Sequence, residues 1–127
     1  MIVELPESAG TLVAFRLSGT LSDADYKQVL LPAFARASEK AGRLSVVFEL
    51  ADDFHGWDVH AIWDDAAYGV EYWGRLGRFA VIGDKEWETL IADLIGLWPG
   101  TEARFFHSAD APLAWAWARQ PIDDQLF

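Results

Sequence analysis

The feature that most constrains this chain is its alternation of short β-type runs with longer runs of helical spacing. Ile2 to Leu5 is a short apolar start closed by Pro6. Thr11 to Leu17 then alternates, with Leu12, Ala14 and Arg16 on one side and Val13, Phe15 and Leu17 on the other, so the two segments read as a hairpin. Ser22 is placed to cap a helix, with Asp23 and Asp25 near its positive end. Tyr26, Val29, Leu30, Ala33, Phe34 and Ala37 recur at helical spacing up to the stop at Gly42. Pro32 has no N–H to give and predicts a kink or a restarted helix within that pattern. Leu44 to Leu50, LSVVFEL, is a β-branched and aromatic run suited to the middle of a sheet.

A tryptophan-rich helical stretch follows, and Arg78 to Ile82 is the next strand. Asp84 is placed to cap a helix whose stripe is Trp87, Leu90, Ile91, Leu94, Ile95 and Trp98, ended by Pro99-Gly100. Thr101 to Phe106 is the last strand, and Ser108 or Asp110 would cap a final helix with Leu113, Trp115 and Trp117. The order β-β-α-β-α-β-α-β-α predicts an α/β fold, a single domain with a five-stranded mixed sheet and four helices. Strands that alternate with helices pair in parallel through crossovers, and the first hairpin makes the sheet mixed. There is no internal repeat, linker or low-complexity segment, so one domain is expected over residues 1–120, with a polar tail over 121–127.

At 127 residues, 52% of them apolar, the chain is long enough to bury a core without metal or disulfide. It has no cysteine, which removes thiol catalysis, thiolate metal sites and disulfides. A net charge of -10 argues against nucleic-acid binding. The acidity is concentrated from Leu44 to Gly74, which holds Glu49, Asp52, Asp53, Asp58, Asp64, Asp65 and Glu71 and no Lys or Arg, so anionic membrane surfaces are repelled there too. The start MIVELPESAG lacks a basic region and a long apolar run, and no stretch reaches the roughly 18 apolar residues of a bilayer span. A cytoplasmic protein is expected.

The stretch Phe54 to Gly74, FHGWDVHAIWDDAAYGVEYWG, carries the strongest functional signal. If helical from about Asp58, it puts Ile62, Ala66 and Gly69 on one stripe and Trp63, Ala67, Val70 and Trp73 on the next. Together these stripes are wider than the face a helix needs to sit on a sheet, so the helix has a second layer over it or borders an apolar cavity. The following helix is equally apolar. The candidate ligand-binding residues are therefore Phe54, Trp57, Ile62, Trp63, Val70 and Trp73 on one side, with Trp87, Ile91, Leu94 and Trp98 on the other. A gap between the two would suit an acyl chain or another flat hydrophobe, because ligand pockets are largely apolar. The alternative is that the same side chains are simply core.

The chain resembles the SpoIIAA-like family, small bacterial proteins of STAS/SEC14-like, CRAL-TRIO-related fold, from about Thr11 to Arg119. The residues that carry the resemblance are Asp25-Tyr26 with Leu31-Pro32, Phe54, Gly56-Trp57, Asp65, Arg78-Phe79-Ala80-Val81-Ile82-Gly83-Asp84, Trp87, Phe105-Phe106 and Ala116-Trp117. It implies the five-stranded mixed sheet, dimerisation in some members, and an apolar cavity with membrane or lipid association. It brings no established reaction. Anti-sigma-factor antagonists of this fold carry a phosphorylatable serine just after the third strand, but no Ser or Thr occurs here between Ser45 and Thr89. That switch is therefore not expected.

Other chemistry is weakly marked. His60 and Asp64 lie at the helical spacing of a shared metal, and Asp52, Asp53, His55 and Asp58 are near in sequence. No third ligand has a fixed spacing, so a solvated acidic loop explains them better and no metal or cofactor is expected. Gly74, Gly77 and Gly83 do not form a dinucleotide motif, no Ser sits in a nucleophile elbow, and His107 has no evident partner. The expectation is a non-enzymatic domain that binds a hydrophobic small molecule or lipid between its second and third helices, as a homodimer with peripheral membrane contact. The alternative is a protein-interaction or regulatory module that uses the same aromatic face.

Overall fold

In the computed structural model, which describes residues 1–40, 42–57 and 74–122, strand β1 (Ile2–Glu4) runs antiparallel to β2 (Leu12–Leu17). A two-residue strand β3 (Thr20–Leu21) follows, then β4 (Leu44–Leu50), a second short strand β5 (Gly56–Trp57), β6 (Leu76–Gly83) and β7 (Glu102–His107). The five-stranded sheet has the order β1-β2-β4-β6-β7, with every pair after the first parallel. This is the mixed α/β sheet that the alternation of the sequence predicts. Parallel pairing of β3 with β5 is an addition the sequence did not announce, since two residues are too few to show a period.

The order of the strands explains the run LSVVFEL. β4 lies in the middle of the sheet, so its residues are covered on both faces. On one face Phe15, Phe48 and Phe79 form a row of edge-on rings, with centroids 6.0 Å and 4.6 Å apart, and Phe34 packs on Phe15 at 6.2 Å. Leu30, Ala33, Ile91 and Ala92 complete this layer. On the other face Ala14, Ala80 and Ala114 leave room for the indole of Trp117.

The first helical segment begins as α1 (Asp23–Asp25), passes through a π-type turn at Tyr26–Leu30, and continues as α2 (Leu31–Ser38). This is how Pro32 is accommodated. The N–H of Leu31 reaches back five residues to the Tyr26 carbonyl, so the widened turn lies where a regular helix would meet the proline ring. Ser22 caps the segment as expected: its hydroxyl accepts from the Asp25 N–H at 3.1 Å, and the Asp25 carboxylate accepts from the Ser22 N–H at 3.0 Å.

The later helices begin differently from expectation. A 3₁₀ turn at Glu86–Glu88 precedes α3 (Thr89–Ile95), and another at Ser108–Asp110 precedes α4 (Ala111–Ala118). Asp84 does not cap α3. Its carboxylate accepts instead from the Ser108 hydroxyl at 2.7 Å and the Ser108 N–H at 3.2 Å, which ties the end of β6 to the end of β7. Ser108 thereby serves as a donor to Asp84, and Asp110 precedes α4 without a side-chain capping bond. The helix expected from Asp58 lies outside the described residues.

Among the described residues, three carboxylates are held below their ordinary range. The hydrogen bond from Arg36 holds Glu4 down against a smaller effect of burial. Burial works against ionisation of Asp25, but the Ser22 hydrogen bonds and the N-terminal ammonium together outweigh it. Asp84 is held down by the Ser108 hydrogen bonds, with His107 adding to the effect. A carboxylate depressed on folding stabilises the protein above its unfolded pKa, and this contribution is lost as pH falls through the folded pKa. Resistance to urea is therefore expected to fall below about pH 4. Unfolding midpoints at pH 7 and across the acid range should show a shallower acid decline for an E4Q/D25N double variant. An unchanged slope would contradict the assignment.

Candidate functional site

On the α2 side of the sheet, the C-terminal ends of β2 and β4, the first helical turns and α3 surround an apolar cavity of about 200 Å³. Leu17 and Phe48 come from the strands, Leu21 from β3, Tyr26 and Leu30 from the first helical segment, Phe54 and Trp57 from the loop after β4, and Ile91, Leu94 and Ile95 from α3. Each segment contributes its inward stripe. Among these residues only Tyr26 and Trp57 carry polar side-chain atoms, a hydroxyl and an indole N–H, so the described lining suits hydrocarbon and contains no acid–base pair.

Of the residues picked out in the sequence, Phe54, Trp57, Ile91 and Leu94 line this space. Trp87 stands behind Phe54, the two rings stacked with centroids 5.8 Å apart and 16° between their planes, and it faces solvent in part. Trp98 is exposed past the end of α3. Ile62, Trp63, Val70 and Trp73 lie outside the described residues. Sequence reasoning passed over the contribution of Leu17, Leu21, Tyr26 and Leu30. A signal did exist, because Tyr26 and Leu30 share the apolar stripe of the first helix, but nothing in the sequence says that this stripe meets α3.

The loop carrying Phe54 is fixed from the α3 side. The Lys85 ammonium donates to the Asp52 carbonyl at 2.5 Å and to the Phe54 carbonyl at 3.1 Å, and the His55 N–H donates to the Gly19 carbonyl at 2.7 Å. Glu88, buried at 1% exposure, accepts from the Asp84 and Lys85 N–H groups at 3.2 Å and 3.0 Å. Lys85 and Glu88 thus hold backbone in place, and no charged side chain among the described residues lines the cavity.

Of the acidic-loop candidates, Asp52, Asp53 and His55 are exposed, and Asp58, His60 and Asp64 lie outside the described residues. Among the described residues, no group of three or more His, Asp or Glu side chains comes together as a metal site. His107 lies against Phe105, with ring centroids 5.4 Å apart. No helix among the described residues is long and apolar enough to cross a membrane.

The five-stranded mixed sheet, with helices packed on it and an apolar cavity on one face, defines a small α/β domain. The chain belongs to the SpoIIAA-like family, whose model matches residues 12–119. It is similar in structure to an uncharacterized protein with a SpoIIAA-like fold from Shewanella loihica PV-4, with 26% sequence identity and a TM-score of 0.71, over 92% of this chain and 93% of the other. No curated protein matches the chain. Membership in this family points to a regulatory or protein-interaction module.

Proposed function

We propose that the protein binds a small hydrophobic molecule, or the end of a lipid chain, in the cavity between the first helical segment and α3, without chemical conversion. The observation that carries this is the lining: ten side chains among the described residues, dominated by aliphatic and aromatic groups, from segments far apart in sequence. A volume of about 200 Å³ lies below the roughly 300–1,000 Å³ of pockets for drug-sized ligands, and near the ~150 Å³ at which an apolar cavity already takes up benzene. A ring or a short hydrocarbon segment fits better than a whole lipid. Phe54, Trp57, Ile91 and Leu94 are the contacts, and Ile62, Trp63, Val70, Trp73, Trp87 and Trp98 remain candidate ligand-binding residues.

The test is a titration with normal alcohols of increasing length, followed by tryptophan fluorescence and by native mass spectrometry of the protein as purified. Affinity should rise by about 0.8 kcal/mol per added methylene and then level off once the cavity is full. Leu94 is 59% exposed yet lines the cavity, so Leu94→Lys should fold and lose most of the binding. Binding that is absent, or indifferent to chain length and to Leu94→Lys, would contradict the proposal.

One observation favours a second use of the same region. Leu90, Leu94, Leu97 and Trp98 on and just beyond α3 are all exposed, an apolar surface of the kind that meets a protein partner or a second copy. A dimer mass that depends on concentration and disappears in Leu97→Glu would support it.

A further inference from the structure

The geometry points to a second binding site, a groove at the N-terminal edge of the parallel strands that takes a small organic anion with an apolar body. It lies on the opposite face from the apolar cavity and does not depend on the function proposed above. The groove encloses about 450 Å³, within the range of small-molecule pockets. The turn between β1 and β2 forms one wall, with Glu7 and Thr11. The end of α4 forms the other, with Ala118 and Arg119, and Leu12 and Ser45 lie between them.

Basic side chains that are scattered in sequence meet at this edge. Arg75 donates to the carbonyls of Ser38, Lys40 and Gly42, just past the end of α2. Arg78 donates to Trp117 and Gln120 at the end of α4, and Arg43 to Leu76 and Gly100. Arg75 and Arg78 have neutral carbonyls as their hydrogen-bond partners, so they bring positive charge to this edge in a protein of net charge -10. Elsewhere the arginines meet carboxylates, as in Arg16 with Glu49, Arg36 with Glu4 and Arg104 with Glu102.

Arg119 does neither. Its guanidinium lies over the Trp115 ring at 5.2 Å and donates to no carboxylate or carbonyl among the described residues. Stacking holds the planar group flat while leaving its edge N–H donors free for the fork of a carboxylate or phosphate. The Thr11 hydroxyl, on the facing wall, likewise has no hydrogen-bond partner among the described residues. The Ser45 hydroxyl donates to the Ala118 carbonyl at 2.7 Å and keeps its lone pairs. Two uncommitted donors over an apolar floor are what an anion with a hydrophobic body requires. Among the described lining residues Glu7 is the opposing charge, and it directs the acid group of the ligand towards the Arg119 wall.

The full-length protein, labelled with nitrogen-15, would be titrated with 2-naphthoate and, separately, with neutral 2-naphthamide. Naphthoate is expected to move the amide signals of Thr11, Gly42, Ala118 and Arg119, and to bind on the order of tenfold more tightly than the amide. Arg119 is exposed, so R119E should keep the wild-type melting curve while losing affinity by a similar factor. E7Q should bind more tightly, and added sodium chloride should weaken binding. No naphthoate binding, equal binding of the amide, shifts confined to Leu30 and Ile91, or unchanged affinity in a folded R119E would each overturn the assignment. The last two also separate this site from the apolar cavity, which Leu94→Lys tests on its own.

Discussion

Phe54→Ala is expected to lower the unfolding free energy by about 3–5 kcal/mol, the range for removing a buried phenylalanine ring. Phe54 is 1% exposed, lines the apolar cavity and stacks on Trp87, so the variant loses apolar burial and a ring contact together. The loop backbone is pinned by Lys85 and cannot collapse inward to fill the space, which places the cost toward the upper end. Against a typical total of roughly 5–15 kcal/mol, such a loss brings the domain near its threshold. Urea unfolding gives the measurement. The enlarged cavity should also move the plateau of the alcohol series to longer chains, which a purely structural role for Phe54 would not do. A loss under about 1 kcal/mol would mean that the ring is not packed as described.

Glu88→Ala is expected to cost about 2–4 kcal/mol, while Glu88→Gln should stay within about 1 kcal/mol of wild type. One oxygen of this buried carboxylate accepts both the Asp84 and Lys85 N–H groups, and the other has no hydrogen-bond partner. Alanine leaves two backbone donors without an acceptor inside the protein, whereas glutamine keeps the oxygen that matters. Gly83→Ala should act on the same contact from the other side, because an added Cβ would overlap the Glu88 carboxylate. Thermal melts of the three variants would check this ordering. Equal losses for alanine and glutamine would show that the second oxygen, and not the backbone clamp, matters.

The sheet was legible because its signals are local. LSVVFEL as a central strand, the alternation of Thr11 to Leu17 and the capping box at Ser22 depend on residues a few places apart, and each appears in the fold. The resemblance to the SpoIIAA-like family rested on short motifs in a fixed order and agrees with the family model. Local signals misled where a polar side chain had a distant alternative. Asp84 has the sequence position of a cap, but the end of β7 brings Ser108 within 2.7 Å of it, and the carboxylate takes that partner instead. Pro32 marked an irregularity correctly, yet only the backbone shows that a π turn at Tyr26–Leu30 absorbs it.

The candidate site was legible by halves. Ile91 and Leu94 belong to a stripe that any helical reading finds, and Phe54 and Trp57 belong to the aromatic loop after β4. Leu17, Leu21, Tyr26 and Leu30 were read as parts of other elements, since spacing along one helix carries no information about which helix it will face. What the sequence by itself determined is the class of the fold and the apolar character of its faces, because periodicity and turn chemistry act within a few residues. The tertiary structure alone decided which ends meet. Parallel strands place segments some 30 or more residues apart side by side, as at Arg43 with Leu76, and that juxtaposition creates both the apolar cavity and the arginine-lined groove.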